Sequence, residues 1–168
     1  MSIDARWSEL KAFAATMICA VLLMTPLVGT AGGDGEIHAT SLDQASFDMA
    51  HDAVVEAIQN EGLTLGNVAP FGQMMARSAA QLGHDRLPYK RAEVLQFCSA
   101  VLAWQLTGED LSQISLCPMA VAVYEPNQDG AKVVLSYRSP GRASPGRAAM
   151  DDLLSRIVAN ASAAAAAR

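Results

Sequence analysis

The sequence has few aromatic residues and few charges, and neither kind forms a cluster. Aromatic residues make up 5% and charged residues 17% of the 168 residues, and the formal net charge is -5. A nucleic-acid-binding surface needs clustered Lys and Arg, and single-stranded nucleic acids also need aromatic rings on which bases stack. We therefore expect no nucleic-acid partner.

Sequence motifs of the common enzyme classes are also missing. The chain has no nucleophile elbow of the form Gly-x-Ser-x-Gly, no phosphate-binding loop and no Cys-x-x-Cys pair. Its three histidines do not form the i, i+4 pair of a helical metal site. The sequence thus favours a protein that is not an enzyme, and it indicates no particular reaction.

An uncharged apolar segment near the N-terminus has the order of parts of a secretory signal. Arg6 and Lys11 precede the apolar residues 12–24, and Pro26 and several small residues follow. This order predicts cleavage after Ala31 and a periplasmic or secreted protein. The alternative is an uncleaved inner-membrane anchor, because a span needs about 20 apolar residues. In both cases the membrane is contacted only through this segment.

Interleaved strand-like and helix-like segments predict an α+β fold, a two-layer sandwich of a small, mainly antiparallel sheet packed with helices. Helices are predicted from Phe47 after the N-cap Ser46, over 71–82, over 101–106 and around 150–158. Strands are predicted over 36–40, 63–68, 94–98, 117–125 and 131–138. Residues 84–91 and 108–110 are predicted loops, 140–146 an irregular connection, and the Ala-rich tail from Asn160 the frayed end of a helix.

These boundaries divide the chain into four parts. A cleavable signal occupies residues 1–31 and an N-terminal segment residues 32–45. The main domain occupies residues 46–140, and the final helix with its Ala-rich tail residues 141–168. Cleavage leaves about 135 residues, enough for one domain with its own core.

Two cysteines, Cys98 and Cys117, remain after the predicted cleavage, and each lies in an apolar strand-like run. If neighbouring strand ends meet, their Cα atoms fall within the 4.4–6.8 Å or so that a disulfide needs. The pair then forms a structural bridge around a loop of about 20 residues. Alternatively it is a functional pair, either redox-active or a soft site for copper(I), zinc or haem iron. The third alternative is two buried free thiols.

Three further side chains are secondary candidates for a site. Met74 can ligate haem or copper, but at helical spacing methionine usually fills a core. Arg77 can bind an anionic group or lie on the surface. His51 can be a ligand or pack beside the apolar face of the first helix.

Several short motifs make the chain similar to the bacterial family called domain of unknown function 302. They are Phe47, Ala57-Ile58, Glu61-Gly62-Leu63, Phe97-Cys98-Ser99-Ala100, Leu116-Cys117-Pro118, residues 120–125 and Tyr137-Arg138. The resemblance covers roughly residues 36–138. The resemblance implies a small α+β domain that pairs as a homodimer. An exported branch of the family shares the Phe-Cys-Ser and Cys-Pro pair. The family brings no established reaction and no catalytic residues.

Three functional hypotheses follow. The first is a small ligand-binding or accessory module in which Cys98 and Cys117 line or brace a pocket, with haem, copper or no cofactor. The second is a thiol redox or sulfur-transfer protein that uses the same pair. The third is a structural or interaction domain in which the pair is only a disulfide staple.

Overall fold

Five antiparallel strands form the sheet, in the order β1-β5-β4-β3-β2, in the computed structural model, which describes residues 35–167. The strands are β1 (Ile37–Leu42), β2 (Leu65–Ala69), β3 (Tyr89–Phe97), β4 (Met119–Pro126) and β5 (Val133–Arg138). The helices are α1 (Phe47–Asn60), α2 (Phe71–Ala79), α3 (Ala100–Glu109) and α4 (Pro145–Ala166). A 3-10 helix over Leu111–Leu116 connects α3 to β4. This is the predicted α+β fold.

Serine side chains begin three of the helices. Ser46, Ser99 and Ser144 each accept a hydrogen bond from the backbone N–H three residues later, at the starts of α1, α3 and α4. Such a cap satisfies one of the N–H groups that the first turn leaves unpaired, and it is worth about 1 kcal/mol. The prediction that Ser46 caps the first helix is therefore confirmed.

The hydrophobic core lies between one face of the sheet and the helices α1 and α4. Alternate residues of the central strands are almost completely buried there, as a two-residue side-chain period requires. They are Leu95 and Phe97 of β3, Val121 and Val123 of β4, and Leu135 of β5. Val54 and Ile58 of α1 and Ile157 of α4 pack in the same cluster. These helices thus cover one face of the sheet.

The opposite face, here called the open face, carries the remaining residues of the same strands. Val94 pairs with Ala122, and Ala122 pairs with Ser136, so three small or medium side chains adjoin across β3, β4 and β5. Helix α2 packs closely against β3, since a Cβ added to Gly72 would lie 3.0 Å from the backbone nitrogen of Ala92. Helix α2 therefore covers part of the open face at β3.

Two predicted loops are shorter in the structure than the sequence predicts. Residues 84–88 are irregular, as predicted for 84–91, but β3 begins at Tyr89, because Tyr89 pairs with Pro126 of β4. The sequence predicts a loop over 108–110, but α3 continues to Glu109 and the 3-10 helix follows after Asp110. Asp110 makes this change of helix type possible, because its carboxylate accepts the backbone N–H of Ser112 at 2.8 Å.

The predicted ends of two helices also differ from the structure. Helix α2 ends at Ala79, three residues before the predicted end. Helix α4 begins at Pro145, within the predicted irregular connection, where the fixed φ of proline suits a first turn. The Ala-rich tail is not frayed, because Ala161 and Ala165 are 0% and 2% exposed in the core. Alanine combines the highest helix propensity with a side chain small enough for close packing.

The predicted signal segment, its cleavage after Ala31 and the alternative membrane anchor lie outside the described residues. Within residues 35–167, no helix is long and apolar enough to cross a bilayer.

Candidate functional site

The bridge between Cys98 and Cys117 joins two neighbouring strands. Cys98 directly follows β3, Cys117 precedes β4, and the pairing of Phe97 with Met119 brings the two strand ends together. The cysteines are disulfide-bonded, with Cα atoms 6.1 Å apart. Cys98 is exposed and Cys117 half-buried, so the pair is neither free nor hidden in the core. Because bonded sulfurs are not thiolates, a soft-metal site here would first require reduction.

Residues 98–117, which we call the stapled segment, form α3 and the 3-10 helix. Leu102 and Leu106 hold the segment in the core, at 9% and 1% exposure. Its outer surface carries large apolar side chains that are more than two-thirds exposed. These are Val101, Trp104, Leu111 and Ile114. The bridge therefore closes a segment whose inner side is buried in the core and whose outer side is apolar but exposed to solvent.

Glu109 anchors the stapled segment to α4. Its carboxylate accepts hydrogen bonds from the Ser144 hydroxyl and from the backbone N–H of Gly146, the latter at 2.7 Å. The hydrogen bond from Ser144 is the largest of the effects on the pKa of Glu109, which lies below its ordinary value. A carboxylate at a helix N-terminus is also stabilised by the helix dipole. The segment is thus fixed by the bridge and by Glu109.

The secondary candidates lie apart from the bridge. His51, on α1, places Nε2 3.5 Å from Oε2 of Glu93 and Nδ1 3.2 Å from Oδ1 of Asp52. Met74 and Arg77 are exposed on α2. Among residues 35–167, no three His, Cys, Asp or Glu side chains are placed to hold a metal ion.

A groove of about 250 Å³ lies at the end of the sheet beside the stapled segment. Val94, Ala120 and Ala122 contribute its floor from the open face, and Leu116 and Pro118 line it at the segment. Neither cysteine lines this groove, but both chain neighbours of Cys117 do. The bridge is therefore placed to brace the groove rather than to line it.

The polar groups of the groove are few. Ser115, Ser136 and Tyr137 supply three hydroxyls and Arg138 one guanidinium, and no Asp, Glu, Lys or His is among the described lining residues. Arg138 ends β5, opposite Ile37 of β1, and its side chain is exposed. Sequence reasoning missed Arg138 as a site residue. The available signal was a lone cation at the end of an otherwise apolar strand.

Comparison with known proteins identifies the fold. A profile of the family described as domain of unknown function DUF302 matches residues 38–167, which include most of β1 and all of α4. The crystal structure of an uncharacterized conserved protein DUF302 from Bacillus stearothermophilus is similar, with a TM-score of 0.53 and 14% sequence identity. The alignment covers 77% of this chain and 94% of that chain. No curated protein matches the sequence. The chain therefore belongs to the DUF302 family and has an α+β fold shared with a solved member of it.

Proposed function

We propose that the chain is an exported small-molecule-binding or accessory module whose ligand site is the groove beside the stapled segment. The observation that carries this proposal is the composition of the groove. Apolar side chains from β3 and β4 form its floor, and a single cation, Arg138, lies among them. Small-molecule sites are typically concave and mainly apolar, with a few polar groups that fix orientation.

The bridge supports this proposal by fixing one side of the groove. Cys117 lies between the lining residues Leu116 and Pro118, and its covalent partner directly follows the buried Phe97. The position of the lining residues is thereby tied to the sheet. A preformed site loses less conformational entropy when its ligand binds.

Export fits the same proposal, because structural disulfides persist in oxidising compartments such as the periplasm. We accordingly propose a periplasmic or secreted location, with an inner-membrane anchor as the alternative. The homodimer implied by the family resemblance is likewise a proposal.

Titration with 1-octanol and octanoate tests the proposed function. Ala122→Leu fills the groove, whereas Ala39→Leu is its matched control, because Ala39 is exposed on the same face and does not line the groove. We expect calorimetry to detect binding to the wild type and to Ala39→Leu, and to lose it in Ala122→Leu. The proposal is contradicted if neither compound binds, or if binding survives in Ala122→Leu.

The bracing role of the bridge is tested with the variant Cys98→Ser/Cys117→Ser. We expect octanol affinity to fall several-fold, because the lining residues next to position 117 lose their attachment to β3. An unchanged affinity would show that the bridge does not brace the site, and the pair would then be only a staple.

A thiol redox role is the second candidate function, and the exposure of Cys98 favours it. An exposed sulfur is accessible to an attacking thiolate. The measurement is the redox equilibrium of the purified protein with glutathione. A midpoint potential of about -200 mV favours the redox role, whereas a midpoint below about -300 mV is typical of a structural bridge.

A further inference from the structure

We infer that the groove takes a small monocarboxylate with an apolar body, and that Arg138 binds its carboxylate. This inference rests on the proposed function, because it names the ligand class of the same groove. Three observations support it: the unpaired charge of Arg138, the lack of a countercharge in the groove, and the size of the groove.

Arg138 lacks a partner within the part of the chain that the structure describes. Three other arginines hold carboxylates of the protein itself: Arg91 binds Asp48, Arg142 binds Asp151 and Asp152, and Arg156 binds Glu61, all within 3.2 Å. No hydrogen bond, ion pair or ring contact involves the Arg138 side chain among residues 35–167. Its guanidinium donors are free to bind an external acceptor, and their planar arrangement matches a carboxylate bidentately.

The surroundings of Arg138 select the sign of the ligand's charge. The described lining residues include no Asp or Glu, so a cationic ligand would find no countercharge in the groove. A carboxylate at Arg138 can also accept a hydrogen bond from the Ser136 hydroxyl, two residues earlier on the same face of β5.

The remainder of the groove selects an apolar ligand body. Ile37, opposite Arg138, is 62% exposed, and Val94 and Ala122 extend the apolar floor away from the cation. A second charge on the ligand would be desolvated over these side chains without a partner, which is unfavourable. A monocarboxylate therefore fits better than a dicarboxylate.

The volume limits the size of the ligand. About 250 Å³ equals roughly eight water molecules at about 30 Å³ each, slightly below the range typical of drug-sized sites. A carboxylic acid with one ring or with a chain of about eight carbons is of this size. Octanoate is therefore the probe, and 1-octanol and octylamine are its neutral and cationic counterparts.

The test compares the three probes by calorimetry on the oxidised protein. We expect octanoate to bind about tenfold more tightly than 1-octanol, as a partly solvent-exposed charge-assisted pair would give, and octylamine to bind most weakly. Arg138→Gln should reduce octanoate affinity to that of 1-octanol and leave 1-octanol affinity unchanged. Arg138→Lys should keep part of the preference, because it retains the charge but loses the bidentate geometry.

The matched control is Arg77→Gln, which removes another exposed arginine, on α2 and outside the groove. It should leave all three affinities unchanged. If the three probes bind equally to the wild type, the ligand class is wrong while groove binding stands. If Arg138→Gln keeps the octanoate preference, Arg138 does not bind the carboxylate and the inference is wrong in that part. If no probe binds, the proposed function fails and the inference fails with it. Retained 1-octanol binding shows that Arg138→Gln is folded.

Discussion

Removal of the bridge between Cys98 and Cys117 should destabilise the protein mainly by freeing its unfolded chain. Leu102, Leu106 and Glu109 still hold the stapled segment in the folded state, through the core and through α4. The folded structure should therefore persist in the variant Cys98→Ser/Cys117→Ser. Its unfolded chain, however, gains the conformations that the bridge excludes.

The size of this effect follows from the length of the closed loop. The two cysteines are 19 residues apart, and the loop-entropy relation then gives a loss of about 3 kcal/mol in the free energy of unfolding at 25 °C. For a domain of this size, each kcal/mol lowers the midpoint of thermal unfolding by about 4 °C, so we expect a decrease of roughly 10 °C.

Urea unfolding followed by circular dichroism measures the difference directly, with the oxidised wild type as reference. A second variant, Cys98→Ala/Cys117→Ala, controls for the serine hydroxyl at the half-buried position 117. Both variants should lose about the same free energy. A loss below about 1 kcal/mol in both would refute the reasoning, because the loop would then impose little entropy on the unfolded chain.

Three further predictions concern other contacts. The hydrogen bond from Ser144 lowers the pKa of Glu109 in the folded protein. The carboxylate therefore stabilises the fold above its ordinary pKa of 4.5, and this contribution is lost as the pH falls through the lower pKa of the folded state. The difference in thermal midpoint between wild type and Glu109→Gln should shrink below pH 4.5, and a constant difference would contradict this. Gly72→Ala should destabilise the protein by about 1 kcal/mol, because its Cβ would meet the backbone of β3, whereas Gly108→Ala, with open space around it, should be neutral or stabilising in the same urea assay. Trp104 is 82% exposed, so acrylamide should quench its fluorescence efficiently, and a protected indole would contradict the exposure of this surface.

Much of the fold could be predicted because the sequence carries local signals of known physical origin. The alternation around Val121 and Val123 predicts a strand with one buried face, and both residues are fully buried. The glycine-containing turn after β4 predicts a hairpin, and β4 and β5 pair as antiparallel neighbours.

The wrong local predictions concern segments whose structure depends on tertiary packing. The Ala-rich tail has low complexity and no distinct apolar stripe, so its burial depends on the surface against which it packs. The 3-10 helix follows α3 after a single residue, Asp110, and such a short helix has too few residues for a clear periodicity.

The candidate site was predictable only in part. Proximity of Cys98 and Cys117 follows from adjacent strand ends, but the groove needs the register of four strands. Its residues Ile37, Val94, Ala122 and Arg138 are far apart in sequence. A shift of one residue in any strand would turn its side chains to the other face, so sequence patterns alone do not bring them together.

Mapping of backbone amide chemical shifts during a titration with octanoate tests the central claim most directly. Ligand in the groove should perturb the amides of residues on β4, β5 and the end of the stapled segment, including Ala122, Ser136 and Arg138. Perturbations confined to α1 or α2, near His51 or Met74, or the absence of any perturbation, would contradict the account.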